Sequence, residues 1–330
     1  MPNSLCVDIP VVALITSGYV NDGLAPRTQA KSAGRALDVL EALAVSGPGL
    51  TFTDLVRQLK MPKSSLFHLL AVLNERRYVS LDVQTRRYGL GIRAWEIGQA
   101  YAEHRELVAE AIPSMNEVVG FLNETVQLSI LDGLENVYLA KVDCSHPLRL
   151  QSSVGRRLPA HATGLGKCLL AHLPPEAAAA LLFGRNLERF TRTTITDVPA
   201  LLQVLAAASV RGFTVDNEEY TAGLRCVAVP VYDRRGLGAA MSTSVPTIRA
   251  TPEQLATGLR LLARASLEIS RRLGRIQEDP ALSRLTLLPV SELIRMLADA
   301  RAENDRAARA GTSEQPREDP PALSASGGSR

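Results

Sequence analysis

Cys168 and Cys226 are side chains of this 330-residue chain that could act as nucleophiles, with His161 or His172 as base and Asp216 as orienter. Together they make the set a cysteine hydrolase needs. No spacing fixes that geometry, and scattered Cys and His in a chain of this length are mostly packing residues. Glu218 and Glu219 with His161 suggest a metal site, yet adjacent glutamates are more often one exposed and one structural, so neither metal nor cofactor is expected. The stretch HATGLGKC, His161 to Cys168, superficially suggests a phosphate loop. The G-x-x-x-x-G-K-[ST] spacing is absent, because a single residue separates Gly164 from Gly166. Two readings stay open for it: a tight turn into a helix whose first N–H groups bind an anion, or a plain helix entry with Gly for close packing.

A different chemistry is written in MPKSSLFHLLAVLNERRYV, Met61 to Val79. Leu66, Leu69, Leu70 and Leu73 recur at i, i+3, i+4 and i+7, one buried stripe of a helix. Lys63, Ser64, Ser65 and His68 gather in its first two turns on the other side, behind Pro62, which suits a helix start. Such side chains reach base edges when a helix lies in the roughly 12 Å wide major groove.

The surrounding elements fit that use. A helix from about Gly34 to Val45 carries Leu37, Leu40 and Ala44 and stops at Gly47-Pro48-Gly49; Thr53 can cap a short second helix holding Leu55, Val56 and Leu59. Helix, short helix, tight turn and helix is the helix-turn-helix order. Tyr78 to Leu81 and Arg87 to Leu90 then flank a hairpin whose tip carries Arg86 and Arg87, which reads as a wing. The competing reading is an ordinary three-helix bundle with a solvated polar face.

The chain's net charge of +3 is too small to mark a nucleic-acid binder, but its distribution is uneven. Between Lys31 and Arg93 stand ten Lys or Arg against five acids, so that segment is more positive than the whole chain. Cys6, Cys144, Cys168 and Cys226 are far apart, with no C-x-x-C pair, which suggests neither zinc knuckle nor disulfide framework and fits a reducing cytoplasm. Leu5 to Val20 lacks a basic leader, and Asp8 and Pro10 interrupt it well short of a membrane span.

Beyond the wing, Ile92 to about His104 reads as a connector helix, with a second helix from Glu106 to Leu122. Thr125 to Leu131 and Asn136 to Val142 are strands joined at Asp132-Gly133. Further strands are expected at 148–153, 226–232 and 239–245, alternating with helices near 164–172, 175–182, 199–210 and 252–273, which makes an α+β domain. The expected parts are an irregular extension (1–31), a winged helix-turn-helix (32–92), a connector (93–106), a second domain (107–274) and a C-terminal extension (275–330). That extension has room for one amphipathic helix around Val290 to Leu297 and reads as disordered after 303.

The residues from Ser32 to Leu273 resemble a transcriptional regulator of the IclR family. SAGRALDVLEALA, LKMPKSSLFHLLAVL and RRYGLG are similar to that family's winged helix-turn-helix. RLPAHATGLGKCLLAHLP and DNEEYTAGLRCVAVPVYDRRG, followed by Ser242 and Ser244, resemble its effector-binding signature. Two positions depart: His68 stands where the family commonly has Arg, and Arg77 where it usually has Gly. A Cβ at a left-handed helix end costs about 1 kcal/mol.

The resemblance implies a GAF-like α/β effector-binding domain and a DNA-binding regulator without enzymatic activity, acting as a dimer or dimer of dimers on a double-stranded operator. Trp95 and Tyr101 on the connector are candidates for the dimer contact. It also implies an effector site at Gly164, Leu165, Asp216, Leu224, Cys226, Ser242 and Ser244, to which no Lys or Arg is assigned. A carboxylate would be held by N–H groups at the Gly164 helix start and by serine hydroxyls. The expected ligand is a small mono-acid, hydroxylated or aromatic, since Asp216 would repel a second carboxylate. A sensor acting through protein contacts without specific DNA recognition is the alternative, with the cysteine hydrolase a third.

Overall fold

The computed structural model describes residues 31–100, 105–149 and 152–311. Its contacts divide the chain into one unit ending at Arg105 and another beginning at Glu106. The expected extension before 31 and the tail from 312 on lie outside the described residues.

The first unit runs α1 (Lys31–Ala44), β1 (Leu50–Thr51), α2 (Phe52–Leu59), α3 (Lys63–Glu75), β2 (Val79–Asp82), β3 (Arg87–Leu90) and α4 (Ile92–Ala100). Its sheet is antiparallel, in the order β1-β3-β2. In α3, Leu66, Leu70 and Leu73 are buried and Leu69 half-buried, as the stripe requires. The face of α1 is turned by one residue from the expected one. Ala36, Val39, Leu40 and Leu43 pack inward, while Leu37 is 59% exposed. Both sets satisfy a 3.6-residue period, and the one observed buries β-branched Val39 and Leu43 together.

Helix α2 is capped by Thr51 instead of Thr53. Thr51 Oγ1 accepts from the Asp54 N–H and Asp54 Oδ2 accepts from the Thr51 N–H, each at 3.2 Å. The acid three residues on decides the choice: Thr51 has Asp54 to close the box, whereas Thr53 has Val56. Arg77 takes the left-handed conformation, φ 63°, so the Cβ strain expected from its departure is present.

The second unit continues with α5 (Arg105–Leu122), β4 (Thr125–Asp132), β5 (Glu135–Val142), β6 (Arg157–Pro159), α6 (Gly164–Ala171), α7 (Pro175–Leu182), α8 (Val198–Arg211), β7 (Thr214–Asn217), β8 (Leu224–Asp233), β9 (Gly236–Pro246), α9 (Pro252–Arg272), α10 (Pro280–Leu287) and α11 (Val290–Ala310). Six antiparallel strands lie in the order β6-β5-β4-β9-β8-β7. Period-two alternation divides their side chains. Val227, Val229, Met241 and Val245 join α5 and α9 in the large core, while Ala228 and Ala240 pack with Leu165, Cys168 and Leu169 of α6. No strand forms over the described part of 148–153, and β6 pairs with β5 instead.

The C-terminal segment also differs from expectation. Helix α11 continues through 303 to Ala310, with Asn304, Ala307 and Ala308 buried. Small residues at i, i+3 and i+4 let a helix pack closely with few large apolar side chains, which a composition argument misses.

Candidate DNA-reading face and effector pocket

Helix α3 presents Lys63, Ser64, Phe67, His68, Ala71 and Val72 to solvent. At 100° per residue, Ser64, His68 and Ala71 stand opposite the leucine stripe. Ser65 is half-buried and lies at the edge of this face. The sequence reading passed over Phe67, 61% exposed and edge-on to the His68 ring at 5.9 Å between centroids. Arg86 is exposed at the wing tip with φ 53°. Arg87 is half-buried, and its Nη1 donates to Gly49 O at 2.8 Å, so its guanidinium ties the wing to the turn that leads into β1. On α4, Trp95 is 62% exposed; Tyr101, the other candidate for the dimer contact, lies outside the described residues.

In the second unit, register assembles a row across three strands. Asp216 on β7 pairs with Cys226 on β8, and Cys226 pairs with Ser244 on β9. Ser242, two residues away, stands on the same face. Helix α6 closes over this row. Thr163 caps it, accepting from the Gly166 N–H at 3.1 Å, so the N–H groups of Gly164 and Leu165 precede the first intrahelical bond. Thr214 Oγ1 donates to Gly164 O at 2.7 Å and pins the turn to β7. A Cβ on Gly166 would stand 2.2 Å from Ala160 Cα, so only glycine permits this approach.

All seven effector residues expected from the sequence line one cavity of about 40 Å³. Its wall also holds Tyr138, Ser152, Arg156, Thr163 and Tyr220, which the sequence reading did not name. Arg156 corrects the expectation of a pocket without Lys or Arg. It lies between the strand expected at 148–153 and β6, where no residue pattern marked a ligand contact. Gln127 on β4, opposite Ser242, was missed too. Its Oε1 accepts from Ser242 and Ser244 at 3.3 and 3.2 Å, while its buried Nε2 has no partner among the described residues, nor has the Ser152 hydroxyl. Buried polar atoms are seldom left so; Ser152 lines the cavity, and Gln127 stands behind its two serines.

The electrostatics rest on a buried ion pair. Lys167 and Glu219 are both fully buried, with Nζ 2.5 Å from each carboxylate oxygen. Asp216 accepts the Glu219 N–H at 2.8 Å. Burial, then the Glu219 charge, pushes Asp216 up to about 7, against the pull of Lys167. Near neutral pH its carboxyl is therefore partly protonated and can donate to a ligand oxygen as well as accept.

The geometry gives the hydrolase alternative no support, although Cys168 Sγ lies 3.9 Å from His172 Nδ1. His172 Nδ1 donates to the Cys168 carbonyl at 2.8 Å, and His161 Nε2 donates to Glu188 O at 2.9 Å. Burial drives both thiols upward, Cys226 further so beside Asp216, which disfavours a thiolate. Glu218 is half-buried with Arg225 at 3.7 Å while Glu219 is in the ion pair, so neither turns to His161.

Residues 32–82 match the profile described as the IclR helix-turn-helix domain, and residues 99–271 match that of the bacterial transcriptional regulator IclR C-terminal domain. This chain belongs to the IclR family. This IclR-family chain is 35% identical over 246 residues to the HTH-type transcriptional repressor AllR of Klebsiella pneumoniae, covering 74% of this chain and 90% of that protein. The IclR of Thermotoga maritima has a similar structure: TM-score 0.63, 28% identity, 74% of this chain and 99% of that one. An IclR homolog from Microbacterium hydrocarbonoxydans, complexed with 4-hydroxybenzoate, gives a TM-score of 0.66 at 26% identity, over 73% and 98%. The chain is thus an IclR-type, DNA-binding transcriptional regulator with a winged helix-turn-helix and an α/β effector-type domain. Among the described residues no helix is long and apolar enough to cross a membrane.

Proposed function

We propose that this IclR-type regulator binds a small monocarboxylic acid in the cavity between α6 and the β7-β8-β9 row, and that the acid alters its affinity for a paired operator. The observation that carries the reading is the convergence of one set of donors on one cavity. The N–H groups at the start of α6, the Arg156 guanidinium and a protonatable Asp216 suit a single anionic group, and the Ser242 and Ser244 hydroxyls join them by turning from Gln127 Oε1 to the ligand. Leu165 and Leu224 supply a short apolar wall. A single water needs about 10–15 Å³, so a cavity of about 40 Å³ suits a small ligand and not a bulky one. That favours a short hydroxylated acid, while an aromatic acid such as the 4-hydroxybenzoate bound by the Microbacterium homolog requires the Tyr220 and Leu224 lip to move.

On the DNA side, Ser64, His68 and Lys63 read base edges, Ser65 and Phe67 flank them, and Arg86, assisted by Arg87, grips phosphate. One winged domain has a small footprint, so specificity calls for a dimer on two half-sites. The acid shifts DNA affinity only by its different affinity for the two arrangements of that dimer.

Calorimetric titration of a panel of short hydroxylated and aromatic mono-acids tests the pocket. The expected result is a binder whose affinity drops on Ser242→Ala and Ser244→Ala. A phosphorylated compound binding tightly, or a binder indifferent to both changes, would misplace the site.

A further inference from the structure

Helices α10 and α11 lie beyond residue 271, where the family profile ends. Helix α11 is nevertheless built into the sheet edge beside the pocket. Arg211 Nη1 lies 2.5 Å from Glu303 Oε2, and Asn217 Nδ2 donates to Asp305 Oδ1 at 3.0 Å. Between those two contacts sits Asn304, 2% exposed. Its Nδ2 donates to Val215 O on the edge strand β7 at 3.0 Å and to Glu219 Oε1 at 2.8 Å.

That second bond reaches the pocket in two steps. Glu219 Oε1 also accepts the Asn217 N–H at 3.2 Å, both its oxygens meet Lys167, and its own N–H holds Asp216 Oδ1. Asp216 lines the cavity. We propose that Asn304 is a positioning residue of the effector pocket: by clamping Glu219 it couples the docking of α11 to the charge that Asp216 presents to the ligand. The ligand part of this statement rests on the acid reading above.

The physics is that of two carboxyls sharing one buried site. Asp216 faces Glu219 from its own turn, Lys167 from α6, Cys226 from β8 and Tyr138 from β5, with Arg156 at the mouth; Asn304 is the group that α11 contributes. Asn304 donates to the Glu219 carboxylate and so offsets part of the negative charge that Asp216 meets. Such a donor makes the charged form of Asp216 easier to reach. Removing it leaves the Glu219 charge less compensated and Asp216 harder to ionise. The sequence gives no sign of this link, since Asn304 is 85 positions from Glu219.

The test is ligand-free and uses the full chain. Unfolding temperatures of wild type, Asn304→Leu and Asn304→Asp are measured from pH 5 to 8.5, each also with Asp216→Asn. Leucine keeps the branched outline, though it is bulkier, and removes the Asn304 oxygen that has no partner among the described residues, so a purely structural role predicts one offset at every pH. Coupling predicts that the Asn304→Leu offset grows with pH and loses its pH dependence when Asp216 is Asn; Asn304→Asp adds a carboxyl that titrates in either background, so it is read by the part of its pH dependence that Asp216→Asn removes. A constant offset, or the same pH dependence with and without Asp216→Asn, overturns the proposal. If Asn304→Leu does not fold, Asn304→Ser is read in the same way. A failed acid panel with an intact coupling cycle would strike the effector reading alone, and the converse would strike this one alone.

Discussion

Gly164→Ala separates the stability of the second unit from the use of its cavity. Gly164 opens α6, and a Cβ there would stand 3.4 Å from Cys226 Cβ and 3.5 Å from Asp216 Cβ, both ordinary contact distances. Alanine is also the better helix former by up to about 1 kcal/mol, so the fold should change by no more than about that amount. The same methyl projects between two side chains that wall a cavity of about 40 Å³. Forcing a methyl into a filled site costs about 1–3 kcal/mol. Against a bound acid that is about 5- to 150-fold in affinity. Gly166→Ala makes the contrast, because its Cβ would lie 2.2 Å from Ala160 Cα and 2.4 Å from Ala160 O, both backbone. Helix α6 would have to part from the turn at Ala160–Ala162, a loss of about 3 kcal/mol or more. Urea unfolding gives the two stabilities, and calorimetric titration with the acid found by the panel gives the affinity. Wild-type acid affinity in Gly164→Ala, or equal destabilisation by both changes, would refute the geometry.

Three further outcomes are expected. Ser64→Ala should relax preference at one operator position at a cost of about 1–3 kcal/mol, whereas Arg86→Ala should weaken all sequences alike and reduce the salt slope by about one, as anisotropy titrations over a salt series would show. Lys167→Met leaves Glu219 buried and unpaired and should cost about 3–5 kcal/mol in urea unfolding, with much of it returned when Glu219→Gln is added. Asp216 binds its proton more tightly folded than unfolded, so between about pH 4, its unfolded value, and about 7 the folded state holds the extra proton and stability falls as pH rises, at a limiting slope of about 1.4 kcal/mol per pH unit. Asp216→Asn should remove that slope and leave the protein more stable than wild type above pH 7.

Local signals carried much of this architecture and little of its long-range wiring. The leucines of α3 have a single buried arrangement compatible with their period, and Asp132-Gly133 closes the β4-β5 hairpin as its chemistry requires. The seven effector residues came from resemblance, and strand register explains why they meet: Asp216, Cys226 and Ser244 are lateral neighbours although far apart in the chain. β7 was not foreseen because all four of its residues are buried, which erases the alternation that marks a strand. Thr51 was overlooked because Thr53 is an equally good oxygen until Asp54 is counted. Gln127, Arg156 and Asn304 escaped because each earns its place from a partner on another element, and no local pattern encodes that partner.

The central claim, a DNA reader controlled by a small acid, is tested most directly by selecting duplexes from a random pool with the full-length protein. The selected duplex is then titrated against a scrambled one at fixed salt, with and without the acid. The expected result is a motif with two half-sites, about 10³-fold or more preferred over the scrambled duplex. The acid should change its affinity by about 5- to 150-fold, an effect absent in the Ser242→Ala, Ser244→Ala double variant. No enriched motif, or a selected duplex bound identically with and without the acid, would contradict the account.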